Sequence, residues 1–446
     1  MKIHPLAMKV VLIGAVSAVL MIGVAFINEL VNEREGRFRE AAEEIGSSWG
    51  HPQTIAGPYV RLPLRPTVTK DGVTEQKTVV VLPESLRCAV NSSTQERHRG
   101  IYSVQLYSAS FTADGSFIMP NLTAMGIDTS TVLWDQATVE FSLSDTRGIP
   151  TPLTIDWNGT AIELHPSSAL AITSDEQNRV DARSGQHVIA ARIAIDRTHP
   201  SGTSLSTYAI KFGLRGSESL SCVPLGKTTS FVATSDWPHP SFNGSILPAR
   251  HETTNQGHRA EWTSGHFARS YPQAFIAEEV SSTRILSSAF GVSYVEPANL
   301  YQQLQRAVKY VVLVVLLTFA LFFTLEVISK RRIHAMQYLF VGSALLVFYL
   351  MLTAISEVLR FDLAYSIAAF AVTALVTVYM RSVTKTLRYA GIVGGLLAAL
   401  YVFIYVMLQA ETYSLLIGSL GMFVAIATLM FTTRNIDWYS YGDHTV

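Results

Sequence analysis

Charge-free apolar runs long enough to cross a hydrocarbon layer leave few folds open to this chain. No charged residue occurs between Lys9 and Glu29, and at about 1.5 Å per residue the run 10–27 just covers a bilayer core. A cleaved signal peptide would use Lys2 and Lys9 as its basic end. The run is long for that role, and its small-x-small triplet at Ala15 and Ser17 falls in mid-run rather than at its end. An uncleaved anchor is therefore expected. Five more apolar runs follow at 307–328, 336–355, 363–380, 389–408 and 414–431.

The joints between the runs set their orientation. One joint carries Lys330, Arg331 and Arg332, and another carries Arg381, Lys385 and Arg388. The joint 356–362 has Arg360 as its single cation, and 409–413 has none. The positive-inside rule places the basic pair of joints in the cytoplasm, with both tails, 1–9 and 432–446. Six spans with both ends inside force residues 28–305 to the opposite side, the periplasm of a bacterium with two membranes.

Composition matters only once this division is made. The 446 residues carry 15% charge and a formal net charge of zero, but most of the charge precedes Arg306, so the average describes neither half. A chain this long exceeds one hydrophobic core. No basic excess, zinc-type cysteine spacing or RNA-type aromatic motif supports nucleic-acid binding. The two cysteines, Cys88 and Cys222, both lie in the polar half. They leave open one disulfide in an oxidising compartment or two separate buried thiols.

The external segment begins as a helix. Val31, Phe38, Ala42 and Ile45 recur at roughly helical spacing, so the first span is expected to continue outward as a stalk, ended by Gly46 and Gly50. Beyond it, short β-branched and aromatic runs alternate with Gly, Pro, Asn and Asp, at 78–82, 101–112, 138–143, 187–195, 206–214, 229–233 and 290–295. Strict alternation in 101–112 and 138–143 predicts strands with one apolar face. The fold expected is mixed: a six-span helical membrane bundle plus a large all-β, antiparallel sandwich or jelly-roll-like periplasmic domain.

Several chemical signals fail on inspection. Gly226-Lys227-Thr228 resembles the tail of a phosphate loop, but Ser221 stands where that loop needs glycine. His251, His258 and His266 lack the spacing of a zinc helix and fall on expected hairpin strands. Ser382 and Lys385 have a serine-x-x-lysine spacing inside a joint already explained by orientation. No catalytic residue, cofactor or metal site is expected. Glu326 is expected to pair with Lys330 four residues on. Glu357, Asp362, Gln409 and Glu411 gather at the expected outer ends of the spans, where ionisable groups are costly and often functional. Gly14 with Ala18, and Gly391 with Gly395, fit close helix packing.

Segments along nearly the whole chain resemble the CreD family. They include Asn32-Glu33-Arg34, Trp49-Gly50, Gly57-Pro58, Leu82-Pro83-Glu84, Arg99-Gly100-Ile101-Tyr102 and Ser144-Asp145-Thr146-Arg147-Gly148. The series continues with Trp237-Pro238-His239-Pro240-Ser241-Phe242-Asn243-Gly244, Arg306-Ala307-Val308-Lys309-Tyr310, Gln337-Tyr338, Ser356-Glu357, Gln409, Glu411, Tyr413 and Ile436-Asp437-Trp438-Tyr439. Where that family commonly has His-Pro before the third span, this chain has His334-Ala335, and loss of the proline should soften that helix start.

The resemblance implies an inner-membrane protein of cell-envelope integrity, under CreBC control and linked to envelope stress, colicin tolerance and β-lactam response; it supplies a role without a mechanism, and the role expected from the residues is non-enzymatic. Its expected partners are the bilayer and an envelope protein or glycan, engaged through the β domain at Trp237, His239 and Phe242. A transporter or membrane-embedded enzyme using Glu357 and Glu411 is the rival. Oligomeric state is not legible from the sequence.

Overall fold

The structure, a computed structural model, describes residues 5–68, 74–149, 152–169, 171–173, 187–195, 205–294, 300–329, 333–410 and 413–434. It divides into two compact units, residues 1–39 with 298–446, and residues 40–297.

Helix α1 (Pro5–Trp49) is unbroken from its lipid-grade run through the stalk. Ion pairs Glu33–Arg37 and Glu35–Arg39, at 2.6 and 2.5 Å, brace its polar stretch at helical spacing. Gly46 does not end it. The helix runs through that residue and stops at Gly50, whose N–H donates to the Gly46 carbonyl at 2.8 Å. Gly50 has φ +152°, and a Cβ there would lie 2.6 Å from the Arg215 carbonyl oxygen. Only glycine meets both demands.

The second unit is a β-sandwich. Its strands are β1 (Gln53–Pro63), β2 (Thr67–Val68), β3 (Thr74–Glu75), β4 (Thr78–Val81), β5 (Ser85–Arg99) and β6 (Tyr102–Ile118). Next come β7 (Thr138–Leu143), β8 (Leu153–Trp157), β9 (Thr160–Ser167), β10 (His187–Arg192), β11 (Leu205–Ser217) and β12 (Ser219–Cys222). The series ends with β13 (Thr228–Ser235), β14 (Ser241–Gly244), β15 (Arg250–Thr254), β16 (Gly257–Gly265), β17 (Ala274–Ile276), the short helix α2 (Ser282–Leu286) and β18 (Phe290–Ser293).

Most strands follow one hydrogen-bonded path, β14-β18-β12-β1-β7-β10-β9-β8-β11-β6-β5-β13-β16-β15, with β4 and β17 added beside β1. Strand β9 pairs with β10 at one end and β8 at the other, so the path turns there from one layer into the next. Phe141 of β7 meets Phe212 of β11, and Phe231 of β13 meets Phe290 of β18, at ring separations of 6.4 and 5.9 Å. These contacts cross the layers and close one apolar core.

Two details depart from expectation. The pairs β1–β12 and β5–β13 are parallel, within an otherwise antiparallel arrangement. Strand β7 matches the predicted 138–143, but Val139 to Leu143 are all buried, so it has no solvent face. Its polar side chains meet partners inside the domain: Glu140 Oε1 accepts from the Thr138 hydroxyl at 2.8 Å, its Oε2 lies 3.5 Å from Arg61, and the Ser142 and Tyr59 hydroxyls bond at 2.9 Å. The alternation was real, but its second face is covered too.

The first unit continues after the domain with α3 (Leu300–Lys309), α4 (Val311–Ser329), α5 (Ala335–Ser356), α6 (Phe361–Thr384), α7 (Leu387–Gln409) and α8 (Ser414–Thr433). Among the described residues six helices are long and apolar enough to cross a membrane. Helix α3 begins before the apolar run, and its stripe Tyr301, Leu304, Ala307 and Val308 is buried. In α8 no described residue is buried, as befits a helix whose apolar surface is left to lipid.

Helix packing corrects the glycine reading. Gly14, Gly391 and Gly395 face open space. The close approaches are instead at Gly23 against Leu346, Gly342 against Leu20, Gly394 against Thr377 and Gly421 against Phe403. The α5 start is not softened either. His334 Nδ1 accepts from the Met336 N–H at 3.2 Å, and Gln337 Oε1 accepts from the His334 N–H at 3.0 Å. This reciprocal cap does the work expected of a proline.

Candidate functional site

Two polar groupings mark the ends of the membrane unit, and a third lies on the sandwich. At the end where the chain starts, Lys9 pairs with Glu326, which also accepts from the Tyr338 hydroxyl at 3.1 Å and the Ile333 N–H at 3.1 Å. Lys9 further donates to the Ile333 carbonyl at 2.8 Å. Glu326 thus has a partner on α1, and Lys330, its expected local partner, lies outside the described residues. A carboxylate this buried needs a countercharge and hydrogen bonds together. Here it has both.

At the other end, Arg34 of α1 lies 3.6 Å from Glu357, whose side chain is 11% exposed. Glu357 Oε1 is buried without a hydrogen-bond partner among the described residues. Nearby on α1, Glu35 accepts from Gln305 at 2.6 Å, and the Phe38 and Tyr301 rings lie 5.7 Å apart. Separately, Asp362 Oδ1 accepts from the Tyr405 hydroxyl and from Gln409 Nε2, each at 3.0 Å, while Gln409 also donates to Tyr405 at 3.0 Å. Glu357 and Asp362 thus have different partners. Glu411 lies outside the described residues.

The Asp362 group opens inward onto a tyrosine cluster. The Tyr365 ring lies 5.2 Å from Tyr405 and 6.5 Å from Tyr401, and Phe348 lies 4.5 Å from Tyr401. The Tyr365 hydroxyl donates to the Tyr401 carbonyl at 2.8 Å, a bond that a helical carbonyl can give as a second acceptance. The hydroxyls of Tyr349 and Tyr401 are buried and have no partner among the described residues. Each such group costs about 1–3 kcal/mol unless water or a ligand atom satisfies it. Chemically this is a neutral hydrogen-bonding site. Among the described residues no group of three or more His, Cys, Asp or Glu could hold a metal.

On the sandwich, the expected residues Trp237, His239 and Phe242 sit at the margin of the sheet path. Trp237 and Phe242 are half-buried and pack against the core, and His239 is exposed. Trp237 Nε1 donates to the His239 carbonyl at 2.8 Å. The Phe242 ring lies 5.3 Å from His251, 6.0 Å from His258 and 5.7 Å from Trp262. His258 donates Nδ1–H to the Trp237 carbonyl at 2.7 Å. Burial pushes the His258 pKa down, partly offset by that bond and by the Asp236 charge.

The profile of the family described as "Inner membrane protein CreD" matches residues 5–439. This chain belongs to the CreD family. It is 32% identical over 437 residues to "Inner membrane protein CreD" of Escherichia coli strain K12, covering 97% of this chain and 93% of that protein. The chain is a multi-pass inner-membrane protein.

Several segments that carry the CreD resemblance prove to be contact-makers. Arg34 meets Glu357, and Tyr338 holds Glu326. Asp145 accepts from the N–H groups of His51 and Arg147, and Gln53 donates to the Asp145 and Arg215 carbonyls, each at 3.0 Å. Burial opposes the Asp145 charge, but these bonds and the Arg147 guanidinium hold its carboxyl below the ordinary range. Sequence reasoning missed Arg34, Tyr405, Gln53 and His258 as site-builders. The signal for Tyr405 was its place one turn before Gln409. The others join segments too distant for spacing to connect.

Proposed function

We propose that this CreD-family protein serves cell-envelope integrity and the envelope-stress response without catalysing a reaction, and that its β domain, on the periplasmic side, binds one envelope component. The observation that carries this reading is the placement of residues 237–244. The segment sits at the free margin of the sheet path and pairs only through β14 with β18. It presents His239 to solvent and keeps the Trp237 and Phe242 rings partly uncovered. Half-covered aromatic rings are the usual anchors of recognition surfaces. The chain enters the domain from α1 and leaves it into α3, so two spans restrain it.

The test places photo-crosslinking residues at the exposed positions 239 and 251 of the full-length protein in envelope-stressed cells. One envelope component, captured at both positions and lost with Phe242→Ala, is expected. Capture at neither position, or capture that Phe242→Ala leaves unchanged, removes the binding reading.

One observation favours a second reading, transport of a small molecule or lipid. The Asp362–Tyr405–Gln409 group adjoins a tyrosine cluster in which two buried hydroxyls have no partner among the described residues. Glu357→Gln and Glu411→Gln proteins that insert normally and fully complement a deletion strain would dismiss the carboxylate-driven version of it.

A further inference from the structure

Cys88 and Cys222 lie in opposite layers of the sandwich and face each other across its core. Cys88 is in register with Phe231, and Cys222 with Phe290. Those two rings touch across the layers at 5.9 Å, so the cysteines beside them converge. Cys222 donates its S–H to the Val223 carbonyl at 3.7 Å. Both are free thiols in this structure. Both residues are buried, at 3% and 1% exposure.

Other roles for the pair are poorly supported. Two thiols alone make an incomplete metal site, and no cluster of three ligating side chains exists among the described residues. A catalytic thiol needs a stabilised thiolate and access. Here the neighbouring Cys222 sulfur and burial together push the Cys88 thiol well up.

We propose that Cys88 and Cys222 form a disulfide that ties β5 to β12 and so pins the two layers together. The inference rests on the domain lying on the periplasmic side, where disulfides persist. Two S–H bonds break and one S–S bond forms. The two protons and two electrons pass to a disulfide-bearing thiol oxidant of that compartment, which leaves as a dithiol. The folded core shields both sulfurs, so exchange takes place as the layers close, once β12 has reached β5. Afterwards the same shielding keeps reductants out.

The test uses the full-length wild-type protein, taken from membranes with thiols trapped by acid, then denatured and treated with a maleimide polymer. Without prior reduction no label is expected, and after reduction two labels are. The intact unreduced chain should be lighter than the reduced one by two hydrogen atoms. Labelling of both cysteines without reduction overturns the proposal. A parallel protein carries Glu252→Cys, at an exposed position of β15, with Cys88→Ala and Cys222→Ala. Its labelling by a membrane-impermeant maleimide on spheroplasts reports the domain's location. Free wild-type thiols with a labelled residue 252 reject the disulfide alone. Free thiols with an unlabelled residue 252 reject the periplasmic placement as well.

Discussion

Lys9 and Glu326 stand 317 residues apart in the chain and form one ion pair, closed on its far side by the Tyr338 hydroxyl. The pair fastens the first helix to the later bundle. Removing one partner strands a charge in an apolar setting, which typically costs about 3–5 kcal/mol. Lys9→Met or Glu326→Leu alone should therefore lower the melting temperature of the detergent-purified protein clearly. The double substitution should recover much of that loss. Additive losses in the thermal scans would show that the two residues are not coupled.

A different outcome is expected at the opposite rim. Asp362→Asn leaves an amide that still accepts from Tyr405 and Gln409, whereas Asp362→Leu removes the acceptor from both donors. The leucine variant should lose about 1–3 kcal/mol, and the asparagine variant much less. Thermal unfolding of the two proteins side by side decides it. Equal losses would assign the effect to charge rather than hydrogen bonding.

Acid should weaken the sandwich through His258. Its pKa is depressed in the fold, foremost by burial, and its Nε2 is buried without a partner among the described residues. Between that depressed value and about 6.5 the unfolded chain binds the extra proton and the native chain does not. The stability is therefore complete above about pH 6.5 and declines as pH falls through this window. His258→Asn keeps a donor toward the Trp237 carbonyl but cannot titrate. Melting temperatures measured from about pH 7.5 down to 5 should fall less steeply in that variant than in wild type.

Asp145 has the opposite charge logic. Its carboxyl is held below the ordinary range by Arg147 and His51 donors, against the cost of burial. Its contribution is present above about pH 3.8 and is lost as pH falls below it through the folded value. At neutral pH, Asp145→Ala leaves the His51 and Arg147 N–H groups without their acceptor and should cost about 2–4 kcal/mol. Denaturant titration of the full-length protein measures this. A loss below about 0.5 kcal/mol would mean that water replaces the carboxylate freely.

What could be read from residues alone follows the range of each signal. The six apolar helices were legible because one property, high hydropathy with few or no charges, persists along each; Glu326 is the exception inside the second span. Strand β7 was legible from its alternation, yet the covering of both its faces was not, since residues 138–143 say nothing of Tyr59 or Phe212 packed against them. Glu326 shows the same limit more sharply. Spacing along a helix offers Lys330 as its partner, and no local rule points to Lys9. Likewise the two cysteines could be paired or separate by sequence alone, and only β5 and β12 in facing layers bring them toward one another. The aromatic segment 237–244 was legible as a candidate, but its neighbours His251 and His258 join it only through the β14–β16 arrangement.

The turn of the sheet path at β9 has a further result. Because the path doubles back, its two ends are the short strands β14 and β15, which are consecutive in the chain. Arg250, His251 and Glu252 line β15, all of whose residues are exposed, and Pro240 precedes β14. Charge and proline at a margin discourage another strand from zippering on. Many copies of such a domain can therefore share one compartment without polymerising edge to edge.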